Sequence, residues 1–176
     1  MHDSYAEVQK KITKDSIVTA LLKLLNDKNF SEITITQITK VAGVSRMAFY
    51  RNYVTKEDII STYLDDMVSD FYGRFSDLKE HSKYDILCNF FSFFKERKAV
   101  IEILMDSGLI YIFRQKLNSS LLDFFKGIEG KNAPEYGTYF AQFEAGGLYN
   151  VLIEWVSNDT VDSVETMATL ISEFTC

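Results

Sequence analysis

Apolar residues recur at three- and four-residue steps along almost the whole chain, the spacing that gathers side chains on one face of an α-helix. Val8, Ile12, Val18, Leu21, Leu22 and Leu25 mark a first helix ending near Asn29, with Thr13 a cap candidate at which it restarts. Ile35, Ile38, Val41 and Ala42 repeat over a much shorter second helix. From Lys56 a longer helix carries Ile60, Leu64, Met67 and Phe71 and is expected to extend towards Leu78. Gly73 lowers its helical propensity by ~1 kcal/mol relative to alanine and marks a position for a bend. Further stripes follow at Leu87, Phe90, Phe91 and Phe94, at Val100, Ile103 and Leu104, and at Ile110, Phe113, Leu117, Leu121 and Phe124. Residues 127–132 read as the clearest loop, after which Asn132, Pro134 and Glu135 combine a cap, an early proline and a capping-box glutamate. That helix should run to about Ser157. A last one starts near Asp162 and carries Val164, Met167, Leu170, Ile171 and Phe174. No strand pattern or internal repeat competes with these, so the fold class is all-α.

The punctuation is densest between Phe30 and Ile60. Thr34 and Gln37 have capping-box spacing, each side chain able to satisfy a backbone N–H at a helix start. Gly43 can take the left-handed conformation that ends a helix, and Ser45 can cap the next, whose early side chains include Arg46, Met47, Phe49 and Tyr50. Thr55 to Asp58 is a further start signal immediately before Ile59 and Ile60. Two short helices around a glycine turn, with polar and aromatic residues on the second, form a DNA-reading device. The chain therefore divides into a three-helix head, residues 1–57, and a helical bundle body, residues 58–176.

This run resembles the DNA-binding domain of the TetR family of transcriptional regulators. The match is carried by Ile33, Thr34, Ile35 and Ile38, by Ala42, Gly43, Val44 and Ser45, by Phe49 to Tyr53, and by Lys56 and Glu57. It covers residues 10–60 by sequence and the remainder by architecture. Asn52 is a departure, standing where many members carry histidine. The resemblance implies that Arg46, Met47 and Tyr50 meet base edges or sugars and that Thr36 reaches an adjacent base or phosphate. Ser45, Tyr50, Asn52, Tyr53 and Lys56 then become backbone contacts, with Ala48 and Phe49 packed inside the head. The family's last two helices pair across a two-fold axis as a four-helix bundle, and Ala145 to Leu148 with Glu154 and Trp155 look like the dimerising helix of one branch. Gly146, Gly147, Val151, Trp155, Met167 and Leu170 are the expected interface. The Gly146-Gly147 step costs about 2 kcal/mol against two alanines in a helix interior. Close approach of a second subunit would offset that; tight packing within one subunit, or a kink, is the alternative.

Composition sharpens the picture. The 176 residues are 47% apolar and 25% charged, with one proline, Pro134, as an all-helical chain requires. Fourteen Phe and ten Tyr exceed what the head can bury, so the body needs its own core and has material for an apolar ligand pocket. Phe90, Phe94, Met105, Phe113, Tyr139 and Phe143 are the candidate lining. Glu144 reads first as a surface glutamate, and otherwise as the group selecting a cationic or hydrogen-bonding ligand. The net charge of −6 is uneven: residues 1–60 hold nine Lys/Arg against seven Asp/Glu, and the remainder ten against eighteen. Lys10, Lys11 and Lys14 read equally as phosphate contacts or as solvated lysines.

No catalytic constellation, phosphate loop or cofactor motif is present. His81 and Cys88 share a helix face at seven-residue spacing, but no further ligand joins them as a metal site. Cys88 and Cys176 lack the spacing of a disulfide framework, and neither an apolar leader nor the ~20-residue apolar run of a membrane span occurs. The expectation is a cytoplasmic homodimer bound to a double-stranded, pseudo-palindromic DNA operator and released by an unknown small-molecule effector. A reading of a different class has the body bind another protein, so that the chain acts as a co-regulator.

Overall fold

The computed structural model describes residues 5–75, 82–129 and 137–174, and among these it contains α-helices and no strand. In order they are α1 (Tyr5–Leu25), α2 (Ile35–Ala42), α3 (Arg46–Tyr50), α4 (Lys56–Phe75), α5 (Lys83–Lys95), α6 (Lys98–Asp106), α7 (Ile110–Glu129), α8 (Gly137–Ser157) and α9 (Val164–Phe174). Helix α1 does not restart at Thr13. The Thr13 hydroxyl donates to the Gln9 carbonyl at 2.9 Å and the Ser16 hydroxyl to that of Ile12 at 2.8 Å, so both are satisfied inside a continuous helix. The helix stops at Leu25 rather than near Asn29, and a single 3-10 turn, Phe30–Glu32, leads into α2. At the other extreme α7 runs past Gly127 to Glu129. One glycine weakens a helix there without ending it. The expected α4 extension to Leu78 and the start signal at residues 132–135 lie outside the described residues.

The head closes around Ile17, Leu21, Ile33, Ile38, Phe49 and Ile59, all buried. Only the second half of α1 takes part, where it packs on α2 and α4; Val8 and Ile12 are exposed. In the body α5 packs on α9, α7 on α8, and α4 on α7. Its centre is aromatic: Phe71 meets Phe90 and Phe93 edge to face at 5.8 and 5.2 Å, and Phe90 meets Phe94 at 5.0 Å. Trp155 lies near the end of α8, its ring 5.3 Å from Phe91 and its indole N–H donating to the Asp162 carbonyl at 3.1 Å. Between α8 and α9 the chain turns through Asp159 (φ 58°) and Thr160 (φ 51°), with Thr160 N–H donating to the Trp155 carbonyl at 2.9 Å. Lys98 ties α6 to this turn through the Asp159 carboxylate at 2.7 Å.

Helix α8 is where sequence periodicity misassigns a face. Phe140, Phe143, Gly147, Val151 and Trp155 approximate one stripe, yet the buried stripe runs Ala141, Ala145, Leu148, Leu152 and Trp155. Small residues at 141 and 145 let α8 lie close against its neighbours, and Phe143 is turned outward.

Candidate nucleic-acid interface

Local capping builds the reading surface. Thr34 Oγ1 accepts from Gln37 N–H at 3.2 Å, while Gln37 Oε1 accepts from Thr34 N–H at 2.9 Å, completing a capping box at the start of α2. Gly43 ends that helix at φ 67°, a backbone conformation open to glycine at little cost, and Val44 N–H then bonds back to the Thr39 carbonyl at 3.0 Å. Ser45 Oγ accepts from Ala48 N–H at 3.0 Å and so starts α3. Phe49 is wholly buried beneath α3, with the Tyr50 ring edge-on at 5.3 Å. What remains outside is a short face: Arg46 is exposed, Met47 is 67% exposed and Tyr50 51%. Thr36, in the first turn of α2, and Ser45 are exposed too. Arg51, which sequence reasoning passed over, joins this face with Nη2 at 3.5 Å from Met47 Sδ. Its four-residue offset from Met47 was the available signal.

Three residues expected on the DNA side make their contacts within the head. Tyr53 is only 3% exposed, packed beside Phe49 at 6.0 Å, and its hydroxyl is pushed up to about 12 by burial and by the carboxylates of Asp66 and Asp15. Asn52 donates to the Ala48 carbonyl at 2.8 Å and serves the end of α3. The Lys56 ammonium donates to the carbonyls of Phe30 and of Ile33, the latter at 3.0 Å, and lies 4.3 Å from the centre of the Phe30 ring. It ties the start of α4 to the turn before α2, so its charge is already engaged within the head. Beside it Asp58 accepts from Thr55 N–H at 2.8 Å and Val54 N–H at 3.0 Å; these bonds, the Thr55 amide foremost, hold its carboxyl below the usual range. Lys10, Lys11 and Lys14 line a polar cleft between α1 and α4, where Asp15, Asp66 and Asp70 oppose their charge.

The body holds a partly open apolar cavity of about 270 Å³ between α4, α5, α7, α8 and α9. Of the six residues expected to line it, only Phe90 does. Phe94 and Phe113 are fully buried in the aromatic centre, Met105 borders a separate depression beside α6, and Tyr139 and Phe143 are 76% and 69% exposed. Phe71, Leu121, Phe124, Phe140 and Glu144 are among the residues that form the wall instead. Glu144 is a correction in its own right: it is 6% exposed, not a surface residue. Burial pushes its carboxyl up from the ordinary range, opposed by the positive charge of Lys83.

Trp155 and Met167 are likewise core residues of the single chain and not surface seam. A Cβ built on Gly146 or Gly147 would meet nothing within 4 Å, so close packing inside one subunit does not account for the pair, and α8 continues through both.

An outward reading helix on a braced three-helix head, joined by one long helix to an all-helical body, defines a helix-turn-helix DNA-binding regulator. Residues 17–62 match the family model of bacterial regulatory proteins of the tetR family, and residues 81–175 that of a transcriptional regulator C-terminal region, which by itself spans over half the chain. The chain belongs to the TetR family of transcriptional regulators. It is similar to the HTH-type transcriptional regulator YxbF of Bacillus subtilis (strain 168), with 24% identity over 157 residues, 85% of this chain and 41% of that protein. A TetR-family transcriptional regulator from Syntrophomonas wolfei shares the fold with a TM-score of 0.70 at 20% identity, covering 94% of this chain and 93% of that one. FadR of Bacillus subtilis, in complex with stearoyl-CoA, shares it at 0.58 and 17% identity, covering 91% and 96%. The chain spans 41 to 62% of the length of the curated relatives it matches. No helix among the described residues is long and apolar enough to cross a membrane.

Proposed function

We propose that the chain acts as a homodimeric repressor that leaves a two-fold-symmetric operator when a small molecule fills the body. Helix α4 carries this reading. Its first residue, Lys56, is anchored in the head by two carbonyls, and Phe71 near its other end is part of the cavity wall. About 22 Å of helix separates them at 1.5 Å per residue, so a ligand that displaces Phe71 moves the head along a stiff lever. That FadR, with the same fold, is seen with stearoyl-CoA supports an effector of apolar character.

Arg46, Met47 and Tyr50 read base edges in the major groove, with Thr36 and Ser45 on neighbouring phosphates. The Ser45 hydroxyl accepts the Ala48 amide yet keeps its own proton to donate. A second copy covers the apolar strip of Phe143, Gly147, Val151 and Phe174, with Leu170 exposed on α9 nearby. The open space at Gly147 lets a partner helix approach closely, and a two-fold pairing places two reading helices on one duplex. Selection of bound sequences from random DNA tests the first half: a two-fold-symmetric motif occupied by two chains is expected, and an asymmetric site holding one chain would overturn it. Placing that motif across a promoter tests the second half by transcription in vitro. Reduced transcript supports repression, whereas increased transcript makes the protein an activator.

A further inference from the structure

Most of the cavity wall is hydrocarbon, supplied by Phe71, Phe90, Leu121, Phe124 and Leu148, and one buried acid interrupts it. Glu144 Oε1 is shielded from solvent and has no hydrogen-bond partner among the described residues. Buried polar atoms are nearly always paired, and an unpaired carboxyl oxygen in apolar surroundings weakens the fold that holds it. Lys83, exposed on the first turn of α5, is the other charged residue of the wall. Glu144 also borders the outer strip of α8, but its Oε1 is shielded from solvent within the single chain.

Three features then constrain what fits. At about 270 Å³ the cavity falls just below the range of pockets for drug-sized molecules, so a small ligand fits. The wall rewards an aliphatic or aromatic body. The carboxyl rewards a donor, most of all a cation. A ligand carboxylate would meet Glu144 with like charge. We propose that this cavity binds a small amphiphilic amine, its hydrocarbon part among the phenylalanines and its ammonium on the Glu144 carboxylate. This rests on reading the body as the effector-binding part of the molecule.

An isosteric series on the full-length chain decides it: octylamine, 1-octanol and octanoate, titrated by calorimetry into wild type and Glu144→Gln, with operator release measured separately. Octylamine should bind wild type at least about tenfold more tightly than octanol, the scale of one charge-assisted hydrogen bond, and octanoate more weakly than either. Glu144→Gln should remove that advantage and leave octanol within about twofold. Octanol or octanoate equalling the amine on wild type overturns the assignment without need of a variant, as does an amine affinity unchanged in a folded Glu144→Gln protein. If octanoate binds and releases operator, the sensor reading survives and the amine class falls. If none of the three binds, both fall. If octylamine binds through Glu144 yet leaves operator affinity unchanged, the ligand class stands and release by this site is refuted.

Discussion

Replacing Lys56 with alanine separates two roles that a cation at the start of α4 can play. In the structure its ammonium is spent on the carbonyls of Phe30 and Ile33 and on the face of the Phe30 ring. Hydrogen bonds from a charged donor contribute about 1.5–3 kcal/mol each when well shielded. Lys56 is half-buried, and the freed carbonyls lie at a turn that water reaches, so the pair is worth nearer 1–2 kcal/mol in total. The ring contact adds about 0.5–1 kcal/mol. A loss of about 2 kcal/mol lowers Tm by roughly 4–8 °C in a chain of this size. Operator affinity should fall as the start of α4 loosens, but the dependence of log affinity on log salt should keep its slope, because no phosphate partner is lost. A lysine that neutralised a phosphate would instead take about 0.9 from that slope on removal. Thermal unfolding together with operator titrations at four salt concentrations reads both quantities. A slope reduced by about one at unchanged Tm would refute the tie and restore Lys56 to the DNA surface.

Arg46→Ala should cost about 1–3 kcal/mol of operator affinity and relax preference at one base position, measured by titration on the selected motif and its single-base variants. Gly147→Leu projects into open space in the single chain, so helical content should hold while sedimentation shows monomers and Tm loses the part that dimerisation contributes; an intact dimer would count against the α8 and α9 strip as the interface. Glu144→Gln should stabilise the ligand-free protein, and more so as pH rises. Burial raises the folded-state pKa, so the wild-type carboxyl is harmless below its ordinary range and destabilising above the raised value; urea titrations at pH 4 and pH 8 check the sign. Thr160→Gly should gain about 1 kcal/mol by relieving a branched residue held at φ 51°, read as a shift in the urea midpoint.

The head was legible because its determinants are local. Thr34 with Gln37, Gly43, and Ser45 with Ala48 act over three residues or fewer, and their chemistry names the turn they make. The inward turn of Tyr53 and Lys56 was not legible. Lys56 finds its partners 23 and 26 residues back along the chain, and nothing in its neighbourhood announces them. The cavity was read worst, since α8 is apolar around most of its circumference and periodicity cannot choose a face there. Bulky phenylalanines drew the choice, whereas the close neighbours of α8 selected Ala141 and Ala145, and that rotation carried Glu144 inside.

The chain has a single tryptophan, and its position makes it an intrinsic optical probe of one half of the molecule. Trp155 lies against Phe91 in the body and reaches the turn into α9. Selective excitation of the indole therefore reports the packing of α5, α8 and the turn into α9, while far-UV ellipticity averages every helix. Unfolding curves that coincide by the two signals would mean that head and body melt as one cooperative unit; an early ellipticity loss at constant emission would mean that the head opens first.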